Sequence, residues 1–183
     1  MNFLEAQRDM RRAYADGGPG VIVSGLVWLA AAFVQQNRGT GLAFVVLFIG
    51  GFFIFPVSTL ISRFVFRRLK ETADNPLGMT ALEGTIAMIG GLFGAWLFLK
   101  FNPAFVFPFA AIVVGTHYAV FKTVYGNSLF WVLGAILTAV GVWQILASPV
   151  PGGVALWVAA TELAFGAFLT IRARSVDASH LPV

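Results

Sequence analysis

No cysteine occurs in this 183-residue chain, which excludes disulfide frameworks, thiolate metal sites and cysteine nucleophiles. Charge is scarce as well: 12 Lys and Arg with 8 Asp and Glu make up 11% of the residues, where a soluble domain carries about 25%. So few charged groups could not cover the surface of a soluble particle. Histidine occurs only twice, and the His-Glu-x-x-His pattern of zinc proteases is missing. Neither a Gly-x-Ser-x-Gly elbow nor a phosphate-cradling glycine loop is present, so the sequence leans away from an enzyme and calls for no cofactor. A net charge of +4, spread among apolar runs, excludes nucleic acid as a partner, because phosphate binding needs clustered Lys and Arg. What is abundant is apolar mass, at 58% of the chain and a mean hydropathy of +0.85. Disorder requires the opposite. The composition is that of an integral membrane protein, with the lipid bilayer as its first partner.

About 20 residues of helix cross the roughly 30 Å hydrocarbon core. Six segments are apolar enough: Val21 to Gln35, beginning near Gly17 or Gly18, then Gly41 to Ile61, Ala81 to Leu99, Pro103 to Val120, Leu129 to Ala147 and Val154 to Ile171. Their runs are continuous, whereas a membrane barrel would alternate apolar and polar residues. The expected fold is therefore all-α: six transmembrane helices as three hairpins in one domain over 1–183. Residues 1–16 form a cytoplasmic amphipathic segment and residues 172–183 a cytoplasmic tail.

Cytoplasmic loops are enriched in Lys and Arg. With the N-terminus inside, the inner side collects Arg8, Arg11, Arg12, Arg63, Arg67, Arg68, Lys70, Lys122, Arg172 and Arg174, and the outer side only Arg38 and Lys100. One span more or fewer would mix the two groups, so count and orientation support each other. Arg11-Arg12 before a short apolar run resembles a signal peptide, but Glu5, Asp9 and Asp16 argue for a real first span. Residues 2–15 alternate Phe3, Leu4, Met10 and Tyr14 with Gln7, Arg8, Arg11 and Arg12. Such a helix either rests among anionic lipid headgroups or caps the bundle.

Two hairpins open alike. Arg11-Arg12 leads through Asp16 to Gly18-Pro19-Gly20, and Arg67-Arg68 leads through Asp74 to Asn75-Pro76-Leu77-Gly78. Asp or Asn caps free N–H groups and Pro fits a first turn, which makes Asp16, Pro19, Asp74, Asn75 and Pro76 the helix-opening residues and suggests a threefold hairpin repeat.

Ionisable groups inside a span cost about 2.5–3.5 kcal/mol on insertion scales and mark function by default. Glu162 lies mid-way along the sixth span, in line with Ala155, Ala159, Gly166 and Thr170, a small-residue stripe that lets another helix approach. Glu83 heads a similar stripe of Ala87, Gly91 and Ala95, and both acids are expected to face inward. His117 and Tyr118 lie in the inner half of the fourth span. A Glu83–His117 pair is geometrically allowed, with Arg63 and Lys122 near enough to join. These residues either line a polar pocket, with His117 as proton carrier or ligand contact, or fix the bundle by hydrogen bonds. Pro56 and Pro108 interrupt the second and fourth spans. One His and one Glu would hold a metal only with help from another chain.

Gly18-Pro19-Gly20, Asp74-Asn75-Pro76-Leu77-Gly78 and Gly115-Thr116-His117-Tyr118 resemble an uncharacterised bacterial family of small six-span membrane proteins, a domain of unknown function. That resemblance covers most of the chain and implies a multi-pass protein of the bacterial inner membrane with no assigned activity. In many members of that family a Leu-Pro-aromatic stretch follows the histidine, where this chain has Ala119-Val120-Phe121-Lys122. The third hairpin, with Gly134, Pro149, Trp157 and Glu162-Leu163, is similar to three-hairpin acid-resistance membrane proteins and implies a stress-related role. Two functions stay open. One is a transporter or channel for a small solute or proton-coupled substrate, as a homo-oligomer or alone. The other is a non-catalytic scaffold or stress factor that binds lipid or a protein.

Overall fold

The computed structural model describes residues 1–147 and 149–178, with side chains to Arg174; His180 lies outside the described residues. Phe3–Tyr14 forms α1, opened by a capping box in which the Asn2 side chain accepts from the Glu5 N–H and the Glu5 carboxylate accepts from the Asn2 N–H. The spans are α2 (Gly18–Arg38), α3 (Thr40–Leu60), α4 (Leu77–Phe101), α5 (Val106–Tyr125), α6 (Leu129–Leu146) and α7 (Val154–Ala178). Together with short flanking turns, these are six helices long and apolar enough to cross a membrane. α7 runs well past Ile171, so the start of the expected tail is helical. With six antiparallel helices, α1 and the end of α7 lie at one end, and ten of the twelve basic residues fall there; we call it the basic end.

Neither proline breaks its helix, contrary to the sequence expectation. Pro108 sits in the first turn of α5, where an N–H would have no intrahelical partner in any case. Pro56 is passed without interruption, and the departure comes later, as a π turn over Ile61–Val65.

Glycine decides which helices touch. In α2 and α7 the contacts are Gly18 with Thr170, Ile22 with Gly166, and Gly25 with Leu163, all in one antiparallel register. A Cβ at Gly25 would lie 2.9 Å from Leu163 Cγ, and one at Gly166 would lie 2.7 Å from the Ile22 backbone nitrogen. α5 and α6 meet in the same manner, Gly115 against Gly134 and Pro108 against Gly141. These contacts bring backbones together where lipid offers no hydrophobic drive for helices to associate.

The result is two groups of three helices. α2 packs on α3 and α7, while α5 packs on α4 and α6. Each of these two helices thus holds the next helix in the chain, and each also holds the third helix of the other chain half. Of the three hairpins expected, α2–α3 and α4–α5 pack closely, whereas consecutive α6 and α7 touch lightly because α6 lies on α5 and α7 on α2. Aromatic rings fill the seam between the groups, with Trp28 against Phe107 at 6.1 Å and Phe48 against Phe93 at 5.4 Å.

α1 folds across the basic end. Its Ala6, Gln7, Met10 and Ala13 are buried, while Phe3, Leu4, Arg8 and Arg12 stay exposed. Gly115→Val should overpack the α5–α6 contact and lower stability by about 1–3 kcal/mol. Thermal unfolding in detergent would register this as an earlier midpoint, with Gly90→Val, where a Cβ meets nothing within 4 Å, as the neutral comparison.

Candidate functional site

The centre of the bundle holds one polar cluster. Glu162 is fully buried at 0% exposure, on the α7 stripe of Ala155, Ala159, Gly166 and Thr170, every member of which is buried. Its Oε1 accepts a hydrogen bond of 2.9 Å from the Tyr118 hydroxyl of α5. Ser24 of α2 lies beside both side chains. Oε2 has no partner. Three helices from two groups thus converge on one carboxyl. Ser24 stands in the sequence as a lone serine without a base. Its role was not legible there, because only the α2–α7 register carries it opposite Glu162.

The other sequence candidates are not gathered here. His117 is next to Tyr118 in the chain, and neighbours on a helix point about 100° apart. The His117 ring therefore turns toward α4, beside the Gly84 backbone, and meets Phe121 of its own helix edge-on at 4.9 Å. Glu83 is exposed rather than inward. Its neighbour Gly84 faces α5 instead, against Val120. The stripe that suggested otherwise advances by four residues each time, which rotates it about 40° per step, so Ala95 is buried while Glu83 has swung outside. Arg63 lies 4.0 Å from Glu71, and Tyr14 is also beside Glu71. An apolar groove of about 440 Å³ on the α5–α6 face is lined by Gly115, Trp131, Gly134 and Thr138 among others, and none of Glu83, His117, Tyr118 or Glu162 borders it. Among the described residues no group of three or more metal-ligating side chains occurs.

With that geometry in view, the family can be stated. The family of unknown function DUF7010 matches residues 3–172. The chain belongs to it. No curated protein and no solved structure matches. The match takes in α1 and all of the central cluster, so this DUF7010 member carries Ser24, Tyr118 and Glu162 within the family region.

A second polar cluster lies at the basic end. Of the opening residues, the asparagines do the capping: Asn75 Oδ1 accepts from the Leu77 N–H and Asn127 Oδ1 from the Leu129 N–H. Their amide groups reach onward, Asn75 to the Ala6 carbonyl and Asp9, Asn127 to Asp16. Asp16 and Asp74, expected as caps, do not serve as such: Asp16 accepts from Asn127, and Asp74 is exposed. Pro19 occupies the first turn of α2, and Pro76 stands just before α4. Burial pushes the Asp16 carboxyl up, against the Asn127 bond and the charges of Arg11 and Arg172. Partial burial also raises Asp9, but the Arg12 bond, with those from Asn75 and the Thr72 N–H, overcomes it and brings Asp9 down to about 2.

Two outcomes follow. A double-mutant cycle of Tyr118→Phe and Glu162→Ala should give a coupling of about 0.6 kcal/mol, and no more than roughly 1.7, in unfolding from mixed micelles; zero coupling would mean the hydrogen bond contributes nothing. Because Asp9 is depressed, its contribution to folding is complete above 3.8 and is lost as pH falls through about 2. Carbon-13 titration of Asp9 should therefore find a midpoint near 2, moved toward the ordinary value by Asn75→Ala.

Proposed function

We propose that this protein is a proton-coupled transporter of a small solute in which Glu162 carries the proton. The observation behind the reading is a fully buried carboxyl within the apolar part of α7, bonded across the seam between two helix groups, with one oxygen left without a partner. Intramembrane acids of this kind are expensive, and packing alone would be served better by an apolar side chain of similar size. Transporters place ion sites near the midplane, between helix groups that move against each other. Ser24, Tyr118 and Glu162 bring two hydroxyls and one carboxyl, fewer side-chain oxygens than the six or more that a calcium or magnesium ion takes but sufficient for a proton. The pathway is assigned to Ser24, Tyr118 and Glu162; His117, Glu83 and Arg63 stand apart from it.

On this reading the basic end is cytoplasmic, as the positive-inside rule requires, and the membrane is the bacterial inner membrane. The second reading, a scaffold that binds anionic lipid, is favoured by one observation: docking of α1 leaves Phe3, Leu4, Arg8 and Arg12 exposed, and Arg12 bonds the Lys70 carbonyl beside another cation. Proton flux into proteoliposomes under an imposed potential separates the two. Glu162→Gln, which keeps an acceptor for Tyr118, should reduce flux about tenfold or more if the acid is the carrier. Equal flux from Glu162→Gln and the natural protein would sink the transporter and leave the scaffold.

A further inference from the structure

Between the basic end and Glu162 the inner face of α5 carries a column of aromatic rings. Tyr118 stands seven residues before Tyr125, or about 10 Å along the helix. The space between is filled by rings: Tyr118 stacks on Phe130 at 6.2 Å, Tyr125 on Phe130 at 5.3 Å, and Phe121 on Tyr125 at 5.8 Å. Below these rings passes the link from α1 to α2. Ala15, Asp16 and Gly17 all take positive φ, at 47°, 56° and 76°. Two non-glycine residues in succession there are unusual for L-amino acids and persist only where the surroundings impose them. What imposes them is visible. A Cβ on Gly17 would lie 2.8 Å from the Tyr125 ring and 2.9 Å from that of Phe130, so the link is pressed onto the aromatic plug.

The fastenings of α1 have a common pattern. Gln7 Nε2 donates to the Thr123 carbonyl at 2.7 Å and Arg11 to the Tyr125 carbonyl at 2.6 Å. Both carbonyls belong to the last turn of α5, which has no intrahelical donors left for them. Asn75, before α4, donates to the Ala6 carbonyl, and Asn127, before α6, donates to Asp16. Each of these partners lies on the α4–α5–α6 group. The covalent bond from Gly17, however, leads into α2, in the other group. α1 is therefore tied by hydrogen bonds to the α4–α5–α6 group and, through the Lys70 carbonyl and the Thr72 N–H, to the connection before α4, while the chain leads from it into the other group.

We propose that α1 and the left-handed link Ala15–Gly17 are a latch. They hold the two helix groups together at the basic end and press the Tyr125–Phe130 plug shut over the way to Glu162. Release of α1 from the end of α5 frees the link, and the rings can then part. The role of this way to Glu162 rests on the reading of Glu162 as the proton carrier, but the latch itself does not need a proton to be moved.

The absence of native cysteine makes the test direct. Leu133, one turn beyond Phe130 on α6, is at 0% exposure; Leu133→Cys is the sole thiol, and a membrane-impermeant maleimide is applied to the basic side in lipid vesicles. In a Gln7→Ala/Arg11→Ala background, labelling should quicken about tenfold or more relative to the intact latch, as expected when a local closure is lost. Faster trypsin cleavage at Arg12 reports that α1 has come away. Freed α1 with unchanged Leu133→Cys labelling overturns the proposal, because α1 would then be a surface appendage. Labelling and cleavage both unchanged also overturn it, since the two bonds would not be what holds α1. Should the double variant not insert, Arg11→Ala alone is read in the same way. No substrate is required, so a protein that opens on release of α1 but moves no protons would keep the latch and discard the transporter.

Discussion

Close backbone contact between helices, where glycine removes the side chain, is the constraint on which this structure depends. In lipid the apolar side chains of one helix gain nothing by leaving the tails for another helix, so association falls to van der Waals fit and to a few hydrogen bonds. Gly18, Gly25 and Gly166 join α2 to α7, and Gly115, Gly134 and Gly141 join α5 to α6. Only because α7 lies that near to α2 does Glu162 reach Ser24, and only because α5 stands at the seam does Tyr118 reach Glu162. The polar centre is a consequence of the small-residue contacts rather than their cause.

The two ends of the bundle are treated differently. At the far end, Asn102 accepts from the Ala104 N–H and Gln144 from the Val150 N–H, which closes short turns locally. At the basic end the corresponding work is done over long separations in sequence, by α1 and by Asn75 and Asn127. Asparagine suits this task because one amide both accepts and donates; each caps a helix with its oxygen and ties down another segment with its nitrogen. Aspartate, which accepts only, cannot do both, and Asp9 and Asp16 are the receivers of these bonds.

A comparison of the two acids explains how far helical periodicity carries an argument about depth and facing. The Glu162 stripe includes one step of three residues, which turns back about 60° against the 40° of each step of four, so all its members remain within about 80° on one buried face. The Glu83 stripe takes steps of four only. Its slow rotation, about 40° each time, leaves one end inside and the other outside. The same rule separates His117 from Tyr118, which are adjacent in sequence and face different helices.

What this sequence determined by itself is whatever depends on local content: the membrane class from apolar mass, six helices from run length, the collection of basic residues at one end, and the cost of Glu162. Those follow because a span must satisfy its own backbone and therefore declares itself within its own twenty or so residues. What the tertiary structure alone decided is partnership. That α7 closes on α2, that Ser24 completes the Glu162 site, that Arg63 turns to Glu71, and that α1 seals the end of α5 all rest on contacts between segments far apart in the chain. Spacing within one helix sets which residues share a face, but which helix that face meets depends on the shape of surfaces elsewhere in the molecule.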